Sequence, residues 1–235
     1  MTRQNLKTAV KAAKNKLHQV GGAYFEAKLD YGAMLQQLQS AADSPDNFRQ
    51  TCRDLMRRHA STRERLPILA DFYAVLADLS DIRVVMDIAC GLNPLAAPWL
   101  PLAEPFQYIA YDIYADMIAF IVDYLKLAKI DGSATVRDVI SHPPTEPADL
   151  ILILKTLPVL EQAEKGAASR LLDALNGRYL LVTFPAQSLG GRGKGMVQTY
   201  ESQFRAWADG RDWQIERFEF STELAFLVST ALARQ

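Results

Sequence analysis

Apolar residues along this chain recur in two regimes. Up to about residue 80 they return every three or four positions, the period of a helix with one buried face. Leu6, Val10, Ala13, Leu17 and Val20 predict a first helix, stopped by Gly21 and Gly22. A second is expected over 31–41, ending before Asp43, Ser44, Pro45 and Asp46, and a third begins near Asn47 and carries Arg49, Arg53, Arg57 and Arg58. From Val84 onward short apolar runs alternate with amphipathic stretches. Strands are expected at 84–88, 107–111, 134–136, 150–154, 179–184, 214–220 and 224–230, with helices over 114–129, 161–175 and 199–208. This order predicts an α/β fold: a Rossmann-like, mostly parallel seven-stranded sheet flanked by helices and closed by an antiparallel hairpin. The division expected is a small helical domain over 1–80 and an α/β domain over 81–235.

In such a sheet, ligands sit beyond the carboxyl ends of the strands. The first strand runs through Asp87 into small residues and Gly91, then into a helix start at Asn93 and Pro94. A glycine there lets the backbone turn tightly beside a nucleoside. Asp112 closes the second strand about twenty residues on, where a carboxylate accepts hydrogen bonds from ribose hydroxyls. Asp138 closes the third, placed to take the exocyclic amine of adenine while Ile113 and Val139 sandwich the ring. Singly, each acid also reads as a helix cap or turn residue; three at successive strand ends point to a ligand. The turn at Gly91 lacks the further glycines of G-x-G-x-x-G that cradle a pyrophosphate, and the segment SLGGRGKGM (188–196) fits neither that pattern nor the Walker pattern. A nucleoside cofactor without phosphates is therefore expected, namely S-adenosylmethionine, with S-adenosylhomocysteine as its product.

Charge changes the picture at the N-terminal end. The chain is near balance, with 26 Lys+Arg and 27 Asp+Glu, yet residues 1–65 hold 12 basic and 6 acidic groups, so that the first part is +6 and the remainder −7. A basic module that meets a polyanion is one reading and a solvated helix face the other. On the first, Lys7, Lys11, Lys14, Arg57 and Arg58 meet the polyanion; Arg192 and Lys194 of the 188–196 loop suit contact with an RNA backbone, and that loop equally reads as an ordinary surface loop. The polar cluster His59, Ser61, Thr62, Arg63, Glu64 and Arg65 reads as a solvated face or as the wall of a pocket for the cofactor carboxylate, with Arg65 as its cation. Cys52, Cys90 and the three histidines show neither disulfide nor metal spacing, so no metal is expected. The most apolar segment, ILILKTLPVL, is interrupted by Lys155, and the lysine-rich opening continues into a helical pattern, unlike a transit peptide. A cytoplasmic protein that stays off the membrane is the expectation.

Five runs carry a resemblance to a known family. LHQVGGAYF (17–25), HASTRERLP (59–67), DIACGLNPLAAPW (87–99), an LLKTLP with Ile153 for its first leucine, and VTFPAQSLGGRGKGM (182–196) closely resemble the aminoglycoside-resistance 16S ribosomal RNA methyltransferases. Those enzymes modify nitrogen 7 of a guanine in the decoding A site of the 30S subunit. Covering nearly the whole chain, the resemblance implies a class I S-adenosylmethionine-dependent methyltransferase domain behind a 30S-docking module. It implies that Tyr24, His59, Ala60, Ser61 and Arg65 enclose the methionine end of the cofactor. Ala89 and Gly91 would lie beneath it, Asp112 would hold the ribose, and Asp138, Val139 and Leu154 would surround the adenine. Lys155 and Glu161 would help position the target, and the basic groups would face 16S rRNA. A ring nitrogen attacks with an in-plane lone pair, so no general base is expected. Relatives carry further helices ahead of the segment matching 6–25, and Ala163 stands where some have a polar side chain. A monomer is expected. Two rival readings stay open on the residues: a methyltransferase of another RNA position or of a small molecule, and a non-enzymatic RNA-binding homologue.

Overall fold

Residues 29–186 and 195–234 are described by a computed structural model. The helix expected over 6–20 with Lys7, Lys11 and Lys14, the residue Tyr24, and Arg192 and Lys194 lie outside the described residues.

The α/β half is one sheet of seven strands: β1 (Val84–Ile88), β2 (Gln107–Asp112), β3 (Asp131–Val136), β4 (Pro147–Leu154), β5 (Asn176–Pro185), β6 (Gln214–Glu219) and β7 (Glu223–Ser229). They lie in the order β3-β2-β1-β4-β5-β7-β6. β1 to β5 pair in parallel, while β7 runs antiparallel to both β5 and β6. All seven expected strands are present. β3, β4 and β5 each begin three residues earlier than their apolar runs suggest, because the ladder also pairs residues outside those runs, such as Asp131, Gly132 and Ser133 on exposed β3.

Both faces of the central strands are covered, which is why they read as unbroken apolar runs. On one face Val85, Leu150, Leu152, Leu154, Leu181 and Leu227 share a core with the helices α1 (Tyr31–Ala41), α2 (Pro45–Met56), α4 (Leu69–Ala74) and α5 (Ala115–Leu127). On the other, Met86, Ile88, Ile151, Ile153, Val182, Phe184 and Phe226 pack against α6 (Leu157–Ala163), α7 (Ala167–Ala174) and α8 (Met196–Ala208). The described part of the N-terminal segment therefore shares one core with the sheet. Met34 and Leu38 of α1 and Cys52, Leu55 and Met56 of α2 are its buried contribution.

Helix ends follow local chemistry. Asp30 accepts a hydrogen bond from the Ala33 N–H at 2.9 Å and starts α1. Ser44 and Pro45 start α2 two residues before the expected Asn47, a serine cap followed by a proline at the first helical position. The single helix expected over 161–175 is corrected to two, α6 and α7, because Gly166 adopts φ +82 at the junction. The helix expected at Asn93 is a 3-10 segment, Asn93–Trp99, with Pro98 inside it.

Candidate active site

The strand order reverses between β1 and β4, where neighbouring connections leave on opposite faces and open a crevice at the carboxyl ends. The turn after β1 builds its floor. Ala89 and Gly91 both have φ +52, and the turn is tied to β2 by the Cys90 N–H bonding to the Tyr111 carbonyl at 2.9 Å. The Gly91 N–H donates to Asp112 Oδ2 at 3.0 Å. A Cβ on Gly91 would stand 2.8 Å from the Cε1 of His59, so the imidazole fills the space that any other side chain would take.

Around this floor lies a cleft of about 860 Å³, its open mouth included. Asp112 Oδ1 accepts from the N–H groups of Ile113 (2.7 Å) and Tyr114 (3.4 Å), so the carboxylate is held rigidly at the end of β2. Burial raises its pKa, and the three backbone N–H bonds work the other way. Asp138, two residues past β3, accepts from the N–H groups of Ile140 and Ser141 and from the Ser141 hydroxyl at 2.8 Å. The apolar walls between these acids are Ile113, Val139, Ile140, Leu154 and Leu160. Arg137 braces the loop that carries them: its guanidinium lies over the Tyr111 ring and bonds to Glu146 and to the His142 and Pro143 carbonyls.

The opposite wall comes from α3 (Ala60–Arg65) and carries buried charge. Arg65, fully buried, donates from Nη1 to Asn93 Oδ1 at 2.8 Å and from Nη2 to Glu223 Oε2 at 3.1 Å, with Nε 2.9 Å from Oε1. Lys155, with φ +59 and its side chain 3% exposed, places Nζ 2.6 Å from Glu64 and 3.2 Å from Glu223. Two cations thus meet two carboxylates, which is what permits charge at such depth. Burial pushes the His59 imidazole down to about 4, and Arg65, Lys155 and Arg63 reinforce this. His59 is therefore neutral near pH 7.

The FmrO ribosomal RNA methyltransferase family model matches residues 2–227. The chain belongs to that family. It is 40% identical over 230 residues to a 16S rRNA (guanine(1405)-N(7))-methyltransferase of Micromonospora echinospora, covering 96% of this chain and 84% of that relative. A protein of the same name from Serratia marcescens is 35% identical, with 94% of this chain and 83% of the relative covered. Among solved structures, the 16S rRNA methyltransferase RmtF in complex with S-adenosyl-L-homocysteine superposes with a TM-score of 0.75 at 31% identity, over 96% of this chain and 84% of that one. The seven-stranded sheet is accordingly the class I methyltransferase fold.

Within this family fold, His59, Ser61, Arg65, Ala89, Gly91, Asp112, Ile113, Asp138, Val139, Leu154 and Lys155 all line the one cleft. Two expected residues do not. Ala60 is buried at the first position of α3 behind the cleft wall. Glu161 is turned away: its carboxylate accepts from the N–H groups of Gly166 (2.8 Å) and Ala168 (3.3 Å) and caps α7, whose own Gly166 has no side chain to do so. Asp87, the first of the three strand-end acids, is 1% exposed and off the cleft, where it accepts from Asn93 Nδ2 and the Tyr108 hydroxyl. The expected arginine stripe on α2 is also divided. Arg49, Arg57 and Arg58 are exposed, with Arg49 over the Trp99 ring and Arg57 paired to Asp54 at 3.2 Å, whereas Arg53 is half-buried and bonds the Leu66 carbonyl. Sequence reasoning missed Asn93, Arg137 and Glu223. Asn93 had a signal, as a polar residue inside the turn already singled out; Glu223 had none, standing at the start of an apolar strand.

Proposed function

We propose that this chain transfers a methyl group from S-adenosylmethionine to nitrogen 7 of guanine 1405 in the 16S rRNA of the 30S subunit, the reaction for which its relatives are named. The observation that carries this reading is the lining of the cleft, whose acceptors, apolar walls and buried cation match a nucleoside bearing an amino acid. Asp112 offers lone pairs to a ribose diol, Asp138 and the apolar walls suit a purine ring, and Arg65 suits a carboxylate. Although Arg65 holds Glu223 and Asn93, its two terminal nitrogens each carry a second N–H for a ligand.

When bound, the cofactor supplies the methyl group on a sulfonium centre. The chain's own part is to position and to exclude water. Gly91 lets the backbone come close, Asp112 fixes the ribose, and neutral His59 adds no positive charge to a site that receives a cation. The attacked nitrogen already presents its lone pair, so proton removal falls to no residue. Arg57 and Arg58, exposed just ahead of His59, suit phosphates beside the cleft, and a target base turned outward costs a few kcal/mol that such contacts offset. The reading includes residues 1–80 as the docking module of a monomeric, cytoplasmic enzyme with its catalytic domain over 81–235. No helix among the described residues is long and apolar enough to cross a membrane, and none of their acidic, histidine and cysteine groups forms a metal cluster.

The test is incubation of the protein with radiolabelled S-adenosylmethionine and unmodified 30S subunits, followed by strand cleavage at 7-methylguanine. Label at guanine 1405 is expected, together with aminoglycoside resistance in a susceptible host that expresses the chain. Cofactor binding without label on 30S would favour another methyl acceptor. Failure of both would favour the non-enzymatic reading.

A further inference from the structure

Behind the cleft, and reaching it at Arg65 and Asn93, lies a polar assembly of which the reading above uses only Arg65. Asn93 is its centre. Oδ1 accepts from Arg65 Nη1 and from the Tyr73 hydroxyl, both at 2.8 Å, and Nδ2 donates to Asp87 Oδ2 at 2.9 Å. Asp87 Oδ2 also accepts from the Tyr108 hydroxyl at 2.7 Å, while Oδ1 has no hydrogen-bond partner. Arg65, Tyr73, Asp87, Asn93, Tyr108 and Glu223 are each at most 3% exposed, yet of these only Arg65 and Asn93 reach the cleft.

This arrangement leaves Asn93 one orientation. A guanidinium only donates, so the amide must turn its oxygen to Arg65, which leaves its nitrogen to donate to Asp87 Oδ2. A flip would set the amide N–H groups against the guanidinium, donor against donor, in a buried site. The buried guanidinium is in turn held from two sides. Glu223 accepts from Nη2 and keeps its other oxygen at ion-pair distance from Nε, and Asn93 accepts from Nη1, so the plane of the fork is set by residues from β7 and from the turn after β1.

We propose that Asn93, oriented by Asp87 and Tyr108, is a positioning residue that aims the Arg65 guanidinium and so sets how strongly the cleft prefers a nucleoside that bears an amino-acid carboxylate. The inference rests on the reading above that Arg65 meets that carboxylate. It adds an expectation that reading does not contain: Asn93, at the edge of the cleft, and Asp87 and Tyr108, behind it, control one end of ligand recognition through Arg65 and leave the other unchanged.

The experiment is equilibrium binding of two probes to the full chain, S-adenosylhomocysteine and 5′-methylthioadenosine, which share the nucleoside and thioether but differ in the amino acid. The wild-type protein is expected to bind the first more tightly. Asn93→Leu removes both faces of the amide and is expected to weaken S-adenosylhomocysteine about tenfold, the scale of one hydrogen bond to a charged group, with methylthioadenosine changed less than about twofold. Tyr108→Phe, a deletion of one hydroxyl away from the cleft, is expected to move the ratio in the same direction by about threefold and carries the test if Asn93→Leu does not fold. Equal loss of both probes, or an unchanged ratio in the folded variants, would overturn the positioning role. Equal affinities for the two probes in the wild-type protein would instead overturn the assignment of Arg65 to the carboxylate, and the proposal with it.

Discussion

Replacing Gly91 with alanine separates two costs that usually come together. At φ +52 a residue with a Cβ is strained by about 1–2 kcal/mol. That part is tolerable, since Ala89 in the same turn keeps its Cβ at the same φ. What sets Gly91 apart is the His59 ring, whose Cε1 and Nε2 would lie 2.8 and 3.1 Å from the new methyl group. His59 is 8% exposed and caps the start of α3, which forms the cleft wall, so the ring cannot swing clear without opening that wall. Overpacking of this kind costs about 1–3 kcal/mol. Gly91→Ala is thus expected to lose roughly 2–5 kcal/mol in all, which at about 2–4 °C per kcal/mol is a fall in Tm of at least about 4 °C. Because the turn carries the Gly91 N–H that holds Asp112, S-adenosylhomocysteine affinity should fall as well, by tenfold or more. Chemical denaturation of Gly91→Ala, His59→Ala and the double variant closes the cycle. With the ring gone the steric part vanishes and only backbone strain remains, so the double variant should be about 1–3 kcal/mol more stable than the sum of the single losses predicts. Strict additivity would show that the ring is not what requires glycine here.

Stability against pH offers a second test, because His59 is pushed down to about 4 and Asp87 up to about 7, each mainly by burial. From pH 6.5 down to 4 the unfolded chain takes up a histidine proton that the folded chain refuses, so stability is lost on acidification; from pH 4 up to 7 the folded chain keeps a proton on Asp87 that the unfolded chain releases, so stability is lost as pH rises. Each effect is about 3–4 kcal/mol and they oppose one another. Urea midpoints of Asp87→Asn should therefore climb from pH 4 to 6.5 and those of His59→Asn should decline, and flat profiles in both would refute the opposition. Glu161→Ala should lower stability by about 1 kcal/mol through loss of the α7 cap while leaving S-adenosylhomocysteine affinity unchanged; a tenfold loss of affinity at unchanged Tm would return Glu161 to the site. Reversing Arg57 and Arg58 to glutamate should weaken 30S binding and flatten its salt dependence, with cofactor affinity intact, and equal loss of both would show that these arginines support the fold.

Much of this architecture is readable from neighbours only a few residues apart. The bounds of α1 follow from its period and the Asp30 cap, and those of β1 from an apolar run ending in a turn. Asp112 and Asp138 were recognisable as cleft residues because a parallel sheet places every strand's carboxyl end on the same edge, so a polar residue at that point of the pattern is already located. Periods, caps and turns act over one to four positions, and the sequence displays them in full. Their limit shows at Glu161, where a charged residue of the recognised pattern became a cap once Gly166 broke the helix five residues later.

The charged wall of the cleft belongs to the other class. Arg65 and Glu223 are 158 positions apart, and Lys155 meets Glu64 across 91. Nothing near Glu223 distinguishes it from a surface carboxylate. It becomes the partner of both Arg65 and Lys155 because β7 inserts antiparallel beside β5, next to the strand whose end carries Lys155. Asp87 illustrates the same dependence in reverse. The sequence shows an acid near a strand end, but which face it points to relative to Asn93 and Tyr108 decided that it would orient the site from behind instead of lining it. A buried charge is stable only with its partners in place, and those partners are assembled by the order of the strands, which no local pattern encodes.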